Sequence, residues 1–598
     1  MWNLQGKLPG RCHSFRLGGE MVKLKINNRE IEVREKTTVL TAAKDLNINI
    51  PTLCHMDLSG INFVNKLASC RVCLVEDVKK GKLIPACATY VKDGMEIRTD
   101  SQRVIRARRA VVELILSDHP TDCLKCAKNL DCQLQKLAAD LNIREIKYPG
   151  EKRNLPIDNS SYSLVRDPNK CILCRRCETM CNEVQTVGAL AEIGRGFMTH
   201  VGSTFNRPMF DTTCTFCGQC LAVCPTGALT ERSNVSDLWK ILHRKKDDKL
   251  VVVQVAPAVR VALGEEFGLE PGTPVTGQMV TALKNLGFDR VFDTDFAADL
   301  TIMEEANEFI ERLKEDRPIL TSCCPGWVNF MEHQFSDLID IPSTCKSPHE
   351  MFGAIAKSYY AQKAGIDPEK ITVVSVMPCI AKKYEAKRDE LNNEGMSDVD
   401  IVITTRELAS MIKEAGIDLT NLEESEFDNP MGESTGGGTI FGASGGVIEA
   451  TIRTAYDTLT GESLEKVEYE ELRGLNGVKK ATVNINGRDI HIGVVNGLGN
   501  TRKILEKIRS GEEKFDAIEV MACPGGCVGG GGQPYHKGDL TILKKRANGL
   551  YSIDEKKTYR KSYENPSIKK LYEEYLGEPG SEIAHDLLHT SYKERPKY

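Results

Sequence analysis

Nineteen of the 22 cysteines in this chain fall into five groups, and any fold must bring each group together. Two groups share one spacing. Cys171-x2-Cys174-x2-Cys177-x3-Cys181 is followed, at an offset of 43 residues, by Cys214-x2-Cys217-x2-Cys220-x3-Cys224-Pro225. Three cysteines in short steps wrap one face of an iron–sulfur cubane, and the fourth reaches the neighbouring cluster. The spacing therefore assigns one 4Fe-4S cluster to Cys171, Cys174, Cys177 and Cys224, and another to Cys214, Cys217, Cys220 and Cys181. Zinc is the alternative, but zinc ribbons pair two cysteines at a time.

The third group, Cys54-x15-Cys70-x2-Cys73-x13-Cys87, reads as a 2Fe-2S site, although it departs from the plant-type Cys-x4-Cys-x2-Cys start. A four-cysteine zinc site is its alternative. The fourth, His119-x3-Cys123-x2-Cys126-x5-Cys132, has three cysteines and needs one more donor. His119 is either that ligand or a surface or capping histidine. As a ligand it would raise the cluster potential, as in Rieske centres. The fifth group, Cys324, Cys379, Cys523 and Cys527, comes from three distant segments, each after an apolar strand-like run. Ligands converging from strand ends are how a catalytic centre is usually held. Cys12, Cys323 and Cys345 are left over; Cys345 reads as a small buried apolar residue.

The 598 residues allow about three to five domains. The alternation in VKLKINNREIEV around Asn27-Asn28 predicts a β-hairpin, and TVLTAAKDL a short helix. Residues 100–147 read as helical. From 250 to 550, runs such as LVVVQVA, ITVVSVMP, DIVITT and FDAIEVMA alternate with helical stretches, which predicts an α/β domain with mostly parallel sheets. Residues 555–598 read as charged helices on the surface. The expected partition is a 1–20 extension, a β-grasp 2Fe-2S ferredoxin-like domain at 21–99, a small helical histidine-ligated 4Fe-4S domain at 100–158, a bacterial-ferredoxin-like two-cluster domain at 159–232, and a catalytic domain at 233–598. A net charge of −5 gives no nucleic-acid footprint. The longest apolar run, 250–259, is too short to span a membrane, and the first twenty residues lack the apolar core of a secretory signal. A cytoplasmic location follows, where dense cysteines are metal ligands rather than disulfides.

TSCCPGW, MPCIAKKYE and MACPGGCVGGGGQP together resemble the three signature loops of the di-iron (iron-only) hydrogenases. The resemblance covers residues 21–598, including the order of the four accessory sites. It implies reversible conversion of two protons and two electrons to dihydrogen at an H-cluster. That cofactor is a 4Fe-4S cubane on Cys324, Cys379, Cys523 and Cys527. By that resemblance Cys527 would also bridge it to a di-iron unit carrying carbonyl, cyanide and azadithiolate. Lys382 matches the lysine that donates to a cyanide, and Ala256, Pro257, Met377, Phe441, Gly442, Met521 and Gln533 match pocket residues. Cys323 matches the proton-passing thiol, with a route through Glu305, Ser343 and Glu308 to Arg312. Glu305, Glu308 and Arg312 share one helix face by spacing; a solvated salt-bridge face is the other meaning of such a stripe.

EVQTVGALAEIGRGF and GSEIAHDLLHTSY are similar to catalytic subunits of NAD(P)-linked, electron-bifurcating hydrogenases. No convincing Gly-x-Gly-x-x-Gly follows a strand and opens a helix, so NAD(P) and flavin would belong to partner subunits. A stand-alone ferredoxin-dependent hydrogenase shares the same domain set. Dedicated maturation proteins and oxygen sensitivity are implied in either case. Two other readings are a non-catalytic relay like the iron–sulfur subunit of complex I, which lacks the three loops, and a cluster-assembly relative without the di-iron unit.

Overall fold

Asn27 and Asn28 both take positive φ, 48° and 65°, and this tight turn sets the register Met21↔Arg34 to Ile26↔Arg29 between β1 (Met21–Ile26) and β2 (Arg29–Arg34). The computed structural model describes residues 20–596 except 62, 64, 66, 245–248, 394 and 462–467. The expected N-terminal extension, save its last residue, and Cys12 lie outside the described residues.

The first of two compact units comprises 20–55, 66–118 and 133–151. Its sheet adds β3 (Leu74–Asp77), β4 (Lys82–Pro85) and β5 (Glu96–Arg98) in the order β2-β1-β5-β3-β4. Val22, Leu24 and Ile26 alternate inward and bury their side chains against Val39, Ala42 and Ala43 of the helix Val39–Asp45. The helices Gln102–Asp118 and Gln133–Asp140 belong to this unit, whereas residues 119–132 belong to the second.

The second unit contains 56–65, 119–132 and 152 onward. Its ferredoxin-like part pairs β6 (Leu164–Arg166) with β9 (Leu229–Glu231), and β7 (Leu190–Ile193) with β8 (His200–Ser203), all antiparallel. Beyond it stand two four-stranded sheets. One orders β11 (Arg290–Asp293), β10 (Leu250–Val255), β13 (Ile371–Met377) and β16 (Ile401–Thr404), all parallel. The other orders β12 (Ile319–Leu320), β19 (Ala517–Met521), β18 (Arg488–Asn496) and β17 (Val478–Ile485), with only the β17–β18 pair antiparallel. A two-residue pair, β14 (Asn392–Asn393) with β15 (Met396–Ser397), lies apart.

β10, β13 and β19 are buried on both faces, which is why they read as largely apolar runs. The C-terminal segment is helical at Pro566–Leu571 and Glu582–Leu588, with exposed charged residues and an apolar face turned inward. Ile568, Leu571, Leu576, Ala584 and Leu588 are buried in the largest apolar core, and the chain past Leu588 is not helical. Its charged residues alternate with these at helical spacing, and that periodicity carries more weight than the charge count. No described helix is long and apolar enough to cross a membrane.

Candidate active site

The carboxyl ends of four strands, two from each sheet, deliver the residues of one cavity. Ala256 and Pro257 follow β10, Met377 ends β13 with Cys379 two residues on, Cys323 and Cys324 follow β12, and Met521 ends β19 with Cys523 and Cys527 beyond. These residues, with Lys382, Phe441 and Gly442, line a space of about 710 Å³. Gln533 does not reach it. Its amide donates to the Ala258 carbonyl at 2.8 Å and accepts from the Thr405 hydroxyl at 2.8 Å, so it braces the wall from behind.

Local structure fixes each cysteine. Cys324 is the N-cap of the helix Pro325–Gln334, and its sulfur accepts the Ala522 N–H at 3.4 Å. Helix N-terminal N–H groups favour an anionic sulfur there. Cys379 precedes the helix Ala381–Glu385. Gly526 holds φ +86° immediately before Cys527, a conformation that L side chains rarely adopt. Burial pushes the Cys324, Cys523 and Cys527 thiols up and Cys379 to about 12. Four desolvated thiols around one space are matched by a cationic iron group, which keeps coordinating sulfur deprotonated. The donor set thus fits a cubane, and the cavity is larger than those beside the two ferredoxin motifs, of about 450 and 360 Å³.

Those two cavities have their own cysteines. Cys171, Cys174, Cys177 and Cys224 line one; Cys181, Cys214, Cys217 and Cys220 line the other. The second abuts the catalytic space. The Cys523 sulfur lies 4.0 Å from the Cys217 carbonyl, and a Cβ at Gly531 would stand 2.8 Å from Gly218 Cα. The glycine-rich loop therefore also permits backbone to pack on backbone. On the other side, the Cys132 sulfur is 3.6 Å from the Pro225 carbonyl, and a Cβ at Gly227 would meet the Cys126 sulfur at 2.6 Å. His119 is buried and Cys123 half-buried in the same window. In the first unit Cys73 and Cys87 sulfurs are 3.3 Å apart, and Cys54 hydrogen-bonds with both Cys70 and Cys87.

Electrostatics organise the cavity rim. Lys382 Nζ donates to Glu385 Oε2 at 2.6 Å and to the Cys323 carbonyl at 3.1 Å. Burial disfavours its charge, but Glu385 outweighs this and keeps Lys382 above its ordinary pKa. Sequence reasoning missed His349, which lines the cavity and sits 2.9 Å from Glu385 and 2.7 Å from Glu350. A single histidine in SPHEMF carries no spacing signal. Thr294, Pro348 and Ala298 were missed for the same reason.

Cys323 is buried, and its thiol is pushed up by desolvation and then by Glu305. Burial, then Glu308 and Glu519, raise Glu305 to about 8. Ser343 Oγ donates to Glu308 Oε2 at 2.7 Å, and Arg312 Nη2 to Glu308 Oε1 at 2.6 Å. Among the described residues no hydrogen bond joins Glu305 to Ser343. Glu305 and Arg312 are both buried, so this helix face is not a solvated one. Arg312 is also pinned by the Ile341 and Pro342 carbonyls at 2.6 and 3.0 Å.

A buried four-cysteine cavity at converging strand ends, with further cysteine cavities leading to it, defines a multi-cluster iron–sulfur oxidoreductase. The chain matches the model "Iron only hydrogenase large subunit, C-terminal domain" over 249–531 and "Iron hydrogenase small subunit" over 540–595. Models of a 2Fe-2S cluster binding domain, the NADH-ubiquinone oxidoreductase-G iron–sulfur binding region and a 4Fe-4S binding domain match 19–102, 108–147 and 210–230. It is 55% identical over 586 residues to "NADP-reducing hydrogenase subunit HndD" of Solidesulfovibrio fructosivorans, covering 96% of this chain and 100% of that one. It is 41% identical over 576 residues to "Iron hydrogenase 1" of Clostridium pasteurianum, covering 95% and 99%. A solved structure described as "Stepwise [FeFe]-hydrogenase H-cluster assembly revealed in the structure of HydA(deltaEFG)" superposes with TM-score 0.55 at 45% identity, covering 61% of this chain and 99% of that one. The chain belongs to the iron-only hydrogenase family. It is an enzyme, the catalytic chain of a hydrogenase, with 2Fe-2S and 4Fe-4S binding domains and a hydrogenase domain of the H-cluster type. The relay-only reading is set aside.

Proposed function

We propose that this chain is the hydrogen-converting subunit of an NAD(P)-linked, electron-bifurcating complex. The observation that carries the reading is end-to-end 55% identity with a protein described as an NADP-reducing hydrogenase subunit. NAD(P) and flavin are assigned to partner subunits, because the sequence offers no nicotinamide fingerprint of its own. Dedicated maturation proteins supply the di-iron unit, and the complex works in the cytoplasm. A stand-alone enzyme fed by ferredoxin is the second reading, favoured by the shared cluster complement.

In this reading the 21–99 module carries one 2Fe-2S cluster on Cys54, Cys70, Cys73 and Cys87. The 100–158 segment carries a 4Fe-4S cluster on His119, Cys123, Cys126 and Cys132. The 159–232 module carries two cubanes on the sets that line its two cavities, and 233–598 carries the H-cluster. Clusters held at the His119 window and on the Cys224 and Cys217 sets would supply an electron relay to the buried site. The close approaches at Pro225 to Gly227 and at Cys217 support that order.

The bound H-cluster supplies the redox chemistry, and the protein orients it and manages protons. Lys382 presents a fixed cation to the cavity. The Cys323 thiol, kept protonated by burial, holds a proton at Sγ, and Glu305, a neutral acid below about pH 8, is the next carrier. Ser343 and Glu308 continue the route through the 2.7 Å hydrogen bond. Arg312 does not give up a proton; it positions the Glu308 carboxylate.

Anaerobic hydrogen evolution by the matured, isolated chain tests this, with reduced viologen and reduced ferredoxin as parallel donors. Viologen activity without ferredoxin activity is expected. Comparable rates with both would favour the stand-alone enzyme.

A further inference from the structure

Cys345 and His589 face each other across an antiparallel bridge, flanked by Lys346 N–H to the Leu588 carbonyl at 2.7 Å and Thr590 N–H to the Thr344 carbonyl at 2.8 Å. Directly opposed residues project to the same face with neighbouring Cβ atoms. Glu308, from the helix Thr294–Lys314, looks onto that face, and its Oε2 is 3.9 Å from the Cys345 sulfur. One ligand atom from each of the three residues lies within 4.8 Å of the other two.

We propose that Cys345, His589 and Glu308 form a binding site for a zinc-class divalent cation, and that a cation there closes the proton route. The inhibitory half rests on the proton route proposed above. One thiolate, one imidazole and one carboxylate suit zinc or cadmium and do not suit magnesium or calcium. A tetrahedral zinc ion with such donors has ligand–ligand edges of about 3.3–3.6 Å, so the site needs to contract by less than about 1.5 Å. Water takes the fourth position, since Glu304 is already engaged by the Tyr572 hydroxyl and the Gly580 N–H, the latter at 2.9 Å.

The imidazole is held at both nitrogens. Nδ1 is 2.7 Å from the Thr344 hydroxyl and Nε2 is 3.3 Å from Glu304 Oε2. Whichever nitrogen turns to the cation, the other keeps a partner that fixes the ring. Glu308 commits Oε1 to Arg312 and Oε2 to Ser343. A cation drawing on Oε2 therefore competes directly with the Ser343 hydroxyl and breaks the step from Ser343 to Glu308. The Cys345 thiol releases its proton on binding, so affinity rises with pH. Glu308 and His589 side chains are 14% and 8% exposed and Cys345 is buried, so an ion reaches the thiol past those two side chains.

The test is zinc K-edge absorption of the matured holoenzyme with one equivalent of zinc, alongside viologen-driven hydrogen evolution and an iron assay. The expected spectrum has one sulfur at about 2.3 Å and an imidazole at about 2.0 Å. Turnover falls with zinc, recovers with chelator, and iron content stays constant. Cys345→Ser loses the sulfur scatterer, and both Cys345→Ser and His589→Asn raise the half-inhibitory zinc concentration more than roughly tenfold while keeping metal-free turnover. A wild-type edge without sulfur, or Cys345→Ser responding to zinc as wild type does, overturns the site. A sulfur-bearing edge with undiminished turnover overturns the inhibitory half and, with it, the use of Glu308 in proton transfer.

Discussion

Lys382 and Glu385 form a buried ion pair at 2.6 Å, and the same ammonium reaches the Cys323 carbonyl at 3.1 Å. One cation thus links the cavity wall to the backbone of the proposed proton carrier. Removing one partner of a buried pair leaves the other uncompensated, at a cost of about 3–5 kcal/mol. Glu385→Gln is expected to lower the melting temperature of the matured protein and to cut hydrogen evolution. Unchanged melting with unchanged turnover would show that the Cys323 carbonyl holds Lys382 without it.

Glu305, raised to about 8 by burial and by Glu308 and Glu519, predicts a pH dependence. A carboxyl raised in the folded state binds more protons there than in the unfolded chain between about pH 4.5 and 8, so its contribution to stability falls as pH rises through that window. The neutral acid that passes a proton is likewise lost above about pH 8. Viologen-driven hydrogen evolution should show an alkaline limb near pH 8. Glu305→Gln should lose more than roughly a hundredfold in rate and flatten the stability slope between pH 5 and 8. A mutant that keeps the same limb would move that titration to another group.

Gln533 should behave as a brace rather than a pocket residue. Gln533→Ala strands the Ala258 carbonyl and the Thr405 hydroxyl, at roughly 1–3 kcal/mol for each buried group left unpaired. Its melting temperature should drop while hydrogen evolution stays within roughly tenfold of wild type, because no cavity-lining atom is removed. A larger loss of rate at unchanged stability would put the side chain in the pocket.

Gly531→Ala tests the contact between the second cubane motif and the catalytic loop. The added methyl would lie 2.8 Å from Gly218 Cα and 3.0 Å from the Cys217 carbonyl, and backbone cannot swing aside as a flexible side chain can. Overpacking of this kind costs about 1–3 kcal/mol. Calorimetry should register it, and electron delivery from the accessory clusters should slow.

The sequence made the strands and the cysteines legible for the same reason: both are local patterns. The apolar runs of β10 and β13 are continuous because both faces are buried, and the loops bearing Cys379 and Cys523 with Cys527 begin where β13 and β19 stop, whereas the Cys324 loop follows only the two-residue β12. What stayed hidden depends on long-range placement. His349 meets Glu385 only through folding, 36 residues away in the chain. The hairpin of β17 and β18 carries Lys, Thr and His on its exposed face, which diluted its apolar signal. Cys345 reads as an inert buried thiol until the chain brings His589 opposite it.

The most direct test is Cys323→Ser in the matured protein, followed by infrared spectroscopy, iron analysis and hydrogen evolution together. Wild-type iron and intact carbonyl and cyanide bands are expected, with turnover down by more than roughly a hundredfold, since serine is a far poorer acid at this position. Most of the activity surviving would remove Cys323 from proton transfer. Full iron without those bands in the wild type would contradict the di-iron site itself.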